Sequence, residues 1–144
     1  LKKISGWEAR LKENFASADI LKGSDEDFSA ILEGNTIDDF YPKLKEYCPN
    51  ILCTGGAKGV YLRTPTISKH YPTTPIVPVS TIGAGDNFNA GIVYGLMKYN
   101  IKREDLNDLS EEKWDKLIQC GMDFSTNVCM SIENYVSPDF ADNY

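Results

Sequence analysis

Two kinds of hydrophobic pattern alternate along this chain, and the alternation restricts the folds open to it more than any other feature. Apolar or extended runs typical of strands occupy residues 18–21, 51–54, 60–63, 66–71 and 75–79. Apolar residues spaced three to four apart predict helices near residues 1–16, 25–33, 41–47, 84–98 and 111–128. This order predicts an α/β fold in which helices pack on the faces of a partly parallel sheet.

A run of small residues marks the entrance to the helix at 84–98. Gly83, Ala84 and Gly85 let backbone N–H groups point at one spot, and the helix dipole adds positive potential there. The run therefore predicts a site for a phosphate or another anion. Asp86 follows at once, and a carboxylate beside an anion suits a base that takes a proton from an attacking group. The alternative is a tight strand-to-helix turn in which Asp86 only caps the helix.

Two stretches nearer the amino terminus also carry polar or glycine-rich patterns. Residues 55–59 are rich in glycine and separate two strand patterns, which is typical of a hairpin turn. Ser24 is a predicted helix cap, and the first turn that follows holds Asp25, Glu26 and Asp27. These carboxylates suit either a water-mediated contact with Mg²⁺ or compensation of the helix dipole.

The stretch at residues 80–88 resembles the Asp-Thr-x-Gly-Ala-Gly-Asp-x-Phe signature of ribokinase-like (PfkB) carbohydrate kinases. It matches at Thr81, at the three small residues, at Asp86 and at Phe88. It departs at the first position, where Ser80 replaces the aspartate of the family.

Two other motifs of that family have counterparts in the expected order. Thr54, Gly56 and Gly59 match its Thr-x-Gly-x-x-Gly motif, which lies against the nucleotide phosphates. Its Asn-x-x-Glu motif maps onto Ser24 and Asp27, neither of which is identical. Two matching motifs at sensible spacing make the resemblance stronger than either motif alone.

The resemblance implies a ribokinase-like, Rossmann-type sheet with flanking helices, of which residues 1–144 are the C-terminal, nucleotide-binding and catalytic half. It implies transfer of the ATP γ-phosphoryl group to a sugar substrate, with ATP and Mg²⁺ as cofactors. Asp86 is then the base, and the backbone at Gly83, Ala84 and Gly85 holds the developing charge. Asp27, with Glu26 as its rival, reaches Mg²⁺ through water. The nucleotide lies along Ser24, Thr54, Gly55, Gly56, Ala57, Lys58 and Gly59.

Two other functions remain open from the sequence. One is that the chain alone is a nucleotide-binding half-domain without catalysis, because the sugar-binding half of the family is absent and positioning supplies much of phosphoryl-transfer catalysis. A dinucleotide-binding Rossmann domain is disfavoured, because residues 55–59 open a hairpin rather than a helix and no Gly-x-Gly-x-x-Gly occurs.

Composition bounds the partners and the compartment. A net charge of −6 disfavours nucleic acid and anionic membrane surfaces as partners. No apolar run approaches the roughly 18 residues of a membrane span, and the four cysteines lack CxxC spacing, so a cytoplasmic protein with reduced thiols is expected. A half-domain exposes sheet edges and apolar surface, which predicts a homo-oligomer, at least a dimer, unless the first helix covers the edge and leaves a monomer.

Four finer expectations concern local structure. Pro42 predicts an irregular start to the third helix, with regular helix from about residue 41. The helix at 84–98 has apolar residues on more than one face and is expected to be buried all round. His70 is expected to be a solvent-facing strand residue without a catalytic role, and the polar tail at 133–144 is expected to be loosely held.

Overall fold

Residues 6–144 are described by the structure, a computed structural model, and they form helices and a four-stranded sheet. The helices are α1 (Trp7–Ser17), α2 (Asp25–Ile31), α3 (Ile37–Leu44), α4 (Ala84–Lys98), α5 (Glu111–Cys129) and α6 (Pro138–Asn143). The strands are β1 (Leu21–Ser24), β2 (Ile51–Thr54), β3 (Val60–Arg63) and β4 (Ser68–Tyr71). The predicted first helix began at Leu1, whereas α1 begins after Gly6 and the residues before Gly6 lie outside the described part.

The chain divides into two compact units, which are Leu1–Thr73 and Thr74–Tyr144. The first unit contains the whole sheet and α1 to α3, and the second contains α4 to α6. None of the helices among residues 6–144 is both long enough and apolar enough to cross a membrane.

The four strands lie in the order β1-β2-β3-β4. β1 runs parallel to β2, and both β2-β3 and β3-β4 are antiparallel, so the prediction of a partly parallel sheet is confirmed. The prediction that residues 18–21 form the first strand was wrong by three residues. Leu21 pairs with Ile51 and Ser24 with Thr54, so the pair predicted as a turn, Lys22 and Gly23, lies within the strand.

The core of the first unit joins three helices to one face of the sheet. Phe28 and Phe40 lie with their ring centroids 5.4 Å apart inside this core. The buried members are Phe15, Phe28, Ile37, Phe40, Tyr41, Leu44, Cys48, Ile51 and Cys53. Apolar burial on this scale is what fixes α2 and α3, which are too short to be stable alone.

The expectation of an irregular start to α3 was wrong. Thr36 and Asp39 form a reciprocal capping box, and the helix is regular from Ile37 although Pro42 lies inside it. The capping box and burial of the apolar face outweigh the one hydrogen bond that the proline nitrogen cannot donate.

Glycines let α4 and α5 pack closely in the second unit. A Cβ atom at Gly91 would lie 2.4 Å from the carbonyl oxygen of Cys120, and one at Gly121 would lie 2.8 Å from the ring of Phe88. Backbone therefore meets backbone, and Phe88, whose ring lies against Gly121, is buried. The predicted bounds of α4 are confirmed.

The expectation that α4 is buried all round was wrong. Val93 and Met97 are 55% and 78% exposed, because the face opposite them carries the glycines that contact α5. The extended segment predicted at 75–79 forms no strand among the described residues; instead Val79 N–H donates to the Cys129 carbonyl.

The polar tail is more ordered than its composition predicts. Ser137 caps α6, its own N–H donates to the Asn127 side chain, and Pro138 occupies the first turn. Phe140 and Tyr144 pack against Phe124, and the Tyr144 hydroxyl donates to Asp123. Aromatic packing of this kind holds the tail in place.

All four cysteines are buried free thiols. Burial raises the pKa of Cys48 and Cys129, and it raises the pKa of Cys53 to about 11. The four buried thiols are those of Cys48, Cys53, Cys120 and Cys129.

Candidate active site

The carboxyl end of β1 leads directly into a closed helix start. Ser24 Oγ accepts the Asp27 N–H at 3.0 Å, and Asp27 Oδ2 accepts the Ser24 N–H at 2.9 Å. Donation from the Ser24 backbone holds the pKa of Asp27 below its ordinary value. The prediction that Ser24 caps this helix is confirmed, and the Asp27 oxygen that bonds to Ser24 is already occupied as an acceptor.

The glycine-rich loop at residues 55–59 lies beside this helix start. Thr54, which precedes the loop, pairs with Ser24 across the parallel strands. The loop connects antiparallel β2 and β3 through a short 3₁₀ turn, so the hairpin prediction is confirmed. Gly56 and Gly59 have φ angles of +56° and +98°, a region that favours glycine.

Hydrogen bonds within the loop fix the direction of its peptide groups. Gly55 N–H donates to the Gly59 carbonyl at 2.8 Å, and Lys58 N–H and Gly59 N–H donate to the carbonyls of Gly55 and Gly56, each at 3.0 Å. Among residues 6–144, no protein acceptor meets the N–H groups of Gly56 and Ala57, and both residues are exposed. Two neighbouring free amides of this kind suit an anionic oxygen.

An ion pair ties the loop to the first turn of α2. Lys58 Nζ lies 2.8 Å from Asp25 Oδ2. The hydrogen bond from Lys58 lowers the pKa of Asp25, and the same bond raises the pKa of Lys58. Asp25 and Asp27 are therefore both engaged, which leaves Glu26 as the carboxylate of this turn whose side chain has no bond in the structure.

Two residues that the sequence did not single out as site residues also contact the loop. His70, an exposed residue of β4, has Nε2 2.6 Å from the Lys58 carbonyl oxygen, and its ring stacks on Tyr61. The Thr73 hydroxyl donates to the Ala57 carbonyl at 2.8 Å. His70 is solvent-facing as predicted, yet it is bonded to the loop. The pairing of His70 with Tyr61 brings β4 back beside the loop, and this strand register could have predicted the contact.

The second unit contains the other candidate residues at an open helix start. Gly83 precedes α4 with a φ of +80°, and no side chain caps the helix. Ala84 N–H donates to the Thr81 carbonyl, and Asn87 N–H donates to the Gly83 carbonyl. The N–H groups of Gly85 and Asp86 lie between these two and meet no protein acceptor in the described chain.

Asp86 is the third residue of α4, and it is exposed beside those amides. Sequence reasoning missed Asn134, which packs on the turn: a Cβ atom at Gly83 would lie 3.0 Å from the Asn134 carbonyl oxygen. The Asn87 side chain donates to the carbonyls of both Gly83 and Asn134, at 3.0 and 2.9 Å. The alternative that Asp86 caps α4 finds no support, because its carboxylate makes no capping bond in the structure.

The structure thus gathers the candidate residues into two groups, one in each unit. Ser24, Asp27 and residues 54–59 lie together at the ends of neighbouring strands in the first unit. Residues 83–86 lie together at the start of α4 in the second unit.

Comparison with known proteins identifies the family of this chain. A profile of the pfkB family carbohydrate kinases matches residues 3–129. The chain belongs to this family. The fructokinase of Klebsiella pneumoniae is 34% identical over 93 residues, which is 63% of this chain but 30% of that pfkB relative.

Solved structures share the fold over nearly the whole chain. Aminoimidazole riboside kinase from Salmonella enterica, complexed with aminoimidazole riboside and an ATP analogue, has a TM-score of 0.78 at 20% identity and is matched over 95% of this chain and 45% of its own. Ribokinase from Thermotoga maritima has a TM-score of 0.69 at 21% identity, over 91% and 43%. The pfkB chain therefore has a ribokinase-like fold, and it spans less than half the length of these relatives.

Proposed function

We propose that this chain is the C-terminal, nucleotide-binding and catalytic half of an ATP-dependent sugar kinase. Membership of the pfkB family supports the reaction class, and the relatives are a fructokinase, an aminoimidazole riboside kinase and a ribokinase. Because these enzymes are named for different acceptors, the proposal covers transfer from ATP to a sugar hydroxyl and commits to no single sugar.

The observation that carries the proposal is the start of α4. Asp86 is exposed next to two outward-facing amides, those of Gly85 and Asp86 itself. In the proposed reaction the Asp86 carboxylate accepts the proton of the sugar hydroxyl as its oxygen attacks the γ-phosphorus. The amides stabilise the charge on the transferred group, and the sharp turn at Gly83 and Ala84 presents them. ADP is the leaving group.

The nucleotide in this proposal lies along the loop of the first unit. Gly56 and Ala57 offer two free amides to its phosphates, while Lys58 supplies a positive charge when it leaves Asp25. Thr54 and Gly59 frame the loop at its two ends.

Magnesium in this proposal is carried mainly by the nucleotide. Among the described residues no group of three or more histidine, cysteine or acidic side chains is arranged to hold a metal ion. The carboxylate of Glu26 and the second oxygen of Asp27 are the groups available for a water-mediated contact. Such sparse protein ligation suits Mg²⁺, which keeps several of its waters when it is bound to phosphates.

Replacing the proposed base tests the reaction. In a chain that covers the full length of the relatives, Asp86→Asn should lower kcat at least about a hundredfold, the scale of a general base, with little change in KM for ATP. Asp142→Asn, at an exposed carboxylate of α6, is the matched control and should leave kcat unchanged. Turnover within a few fold of wild type for Asp86→Asn would remove Asp86 from the mechanism.

A second candidate function concerns the 144-residue chain by itself. The chain spans 45% of the aminoimidazole riboside kinase, so most of that fold's length has no counterpart here. We propose that the chain alone binds ATP weakly and phosphorylates no sugar, because a positioned acceptor is missing. Sugar-dependent release of ADP by the isolated chain would contradict this, and fructose and ribose are the first acceptors to assay.

We further propose that the chain self-associates, at least as a dimer, in the cytoplasm. The proposal is supported by the large hydrophobic residues that are exposed in the described chain. They are Ile76, Val77, Val79, Ile82, Val93, Met97, Met130, Ile132 and Tyr135. Apolar surface of this kind on a chain of this size favours association. A specific interface would bury more than roughly 1,000 Å² in total.

A further inference from the structure

We propose that His70 and Thr73 are positioning residues for the glycine-rich loop at residues 55–59, each setting the direction of one of its two free amides. This inference rests on the proposed function, since it assumes that the loop binds phosphate. Neither residue belongs to the motifs that identify the family. Both lie at or just after β4, one of the two edge strands of the described sheet.

His70 is held firmly enough to act as a support. It lies opposite Tyr61 in the β3-β4 register, and its ring stacks on the Tyr61 ring at a centroid distance of 4.3 Å. Because a carbonyl oxygen can only accept, the 2.6 Å contact with Lys58 requires that Nε2 carries the proton and donates. Gly59 makes this approach possible: a Cβ atom there would lie 3.1 Å from His70 Nε2 and 2.1 Å from the Tyr71 carbonyl oxygen.

A chain of two peptide groups connects His70 to the Ala57 amide. His70 fixes the carbonyl of Lys58, and the N–H of the same peptide group, that of Gly59, donates to the Gly56 carbonyl. That carbonyl belongs to the peptide group whose N–H is the free amide of Ala57. Since a peptide group is planar with its C=O and N–H opposed, fixing one end fixes the direction of the other.

Thr73 has the equivalent connection to Gly56. Its hydroxyl fixes the Ala57 carbonyl, and the N–H of that peptide group, on Lys58, donates to the Gly55 carbonyl. The opposite end of the Gly55 peptide group is the free N–H of Gly56. Two side chains from one edge of the sheet thus hold two amides outward through parallel chains of hydrogen bonds.

The loop would otherwise be mobile, because three of its five residues are glycine. A loop that is already ordered loses less entropy when a phosphate binds, so the supports should raise affinity for the nucleotide. Removing one hydrogen bond of this kind costs about 1 kcal/mol, so we expect a three- to tenfold loss of affinity.

Matched variants of the 144-residue chain test this inference. Thr73→Val removes the hydroxyl at constant shape, and Thr73→Ser restores it. His70→Phe keeps a ring to stack on Tyr61 and removes the donor, whereas His70→Gln retains an N–H donor. Two measurements are needed: ATP affinity by calorimetry, and NMR-detected hydrogen exchange of the loop amides with and without ATP.

We expect Thr73→Val to accelerate exchange at the Lys58 amide and His70→Phe at the Gly59 amide, each about three- to tenfold, with ATP affinity falling by the same order. Thr73→Ser should behave as wild type. The inference is overturned if wild type binds ATP and both Thr73→Val and His70→Phe bind it equally well.

The results that would overturn the proposed function differ from those that would overturn the inference. If ATP neither binds wild type nor protects the amides of Gly56 and Ala57, the nucleotide assignment is overturned. Faster exchange in Thr73→Val and His70→Phe in that case would still support the loop-holding role, and unchanged exchange would overturn it.

Discussion

The two helix starts that hold the candidate residues differ in how their backbone amides are used. At α2, Ser24 and Asp27 exchange hydrogen bonds in both directions, so the helix start is closed by its own side chains. At α4, Gly83 offers no side chain, and the amides of Gly85 and Asp86 remain open beside an exposed carboxylate. A closed start stabilises a helix, whereas an open start leaves backbone donors for a ligand.

The two units also differ in how much apolar side-chain surface they expose. The large hydrophobic side chains that are exposed among residues 6–144 all belong to the second unit, Thr74–Tyr144. Two of them, Val93 and Met97, lie on α4 at helical spacing in line with the exposed residues Asp86 and Ala90. The candidate base therefore lies on the open face of its helix, opposite the glycines that meet α5. The glycine-rich loop at residues 55–59 is bonded to residues of its own unit, whereas Asp86 is exposed.

The largest expected effect comes from breaking the packed face of α4. Gly91→Ala places a Cβ atom 2.4 Å from the Cys120 carbonyl oxygen, and because that neighbour is backbone it cannot move aside cheaply. We expect a loss of about 2–3 kcal/mol in the free energy of unfolding, even after the helix propensity that alanine gains. Urea unfolding followed by circular dichroism measures it.

Asn89→Ala, at an exposed position of the same helix, is the control and should change stability by less than about 0.5 kcal/mol. Equal stability of Gly91→Ala and wild type would mean that α4 and α5 do not pack as closely as described.

The open face of α4 should control association rather than folding. Val93→Lys combined with Met97→Lys adds charge to side chains that are already exposed, so the unfolding free energy should change by less than about 1 kcal/mol. The same pair should raise the dissociation constant of the proposed dimer at least about tenfold, because it buries charge in an apolar contact. Light scattering across a dilution series at micromolar concentration measures this dissociation constant.

Asn14→Lys adds a charge at an exposed position of α1, outside the exposed face of α4, and it serves as the control for net charge. If wild type is a monomer at every concentration, the proposal of self-association is wrong. If Asn14→Lys dissociates the dimer as strongly as the double variant, the effect is general electrostatics.

The smallest expected effect tests the closed helix start. Ser24→Ala removes the acceptor for the Asp27 N–H and should cost about 1 kcal/mol of stability, whereas Ser29→Ala, in the body of α2, should not. The Asp27 carboxylate has a pKa below its ordinary value in the folded chain. Its contribution is therefore complete above about pH 4 and is lost as the pH falls through the folded-state pKa.

Asp27→Asn should flatten that acid dependence while keeping an oxygen that can accept from Ser24. A steeper loss of stability in acid for Asp27→Asn than for wild type would show that Asp27 is not held as an anion by the cap.

Sequence reasoning succeeded where a local pattern decides the structure. The small residues at 83–85 predicted the start of α4, Ser24 predicted a cap, and glycines between two strand patterns predicted the hairpin. In each case the backbone conformation depends on residues within one turn, so the pattern is sufficient.

It failed where a distant partner decides the structure. β1 begins at Leu21 because its hydrogen bonds come from β2, thirty residues along the chain. Apolar residues on more than one face of α4 predicted burial all round, but only the face with Gly91 and Gly95 meets α5, and Val93 and Met97 stay exposed. The support of the loop by His70 and Thr73 depends on strand register, which no single motif records.

The burial of the four cysteines makes the chain convenient for site-directed labelling. A buried thiol is out of reach of a reagent in solution, so maleimides should leave the native chain unmodified. A single new cysteine, for example Met97→Cys on the open face of α4, would then take a fluorophore there without removal of the native thiols. Such a dye would report directly on what covers that face.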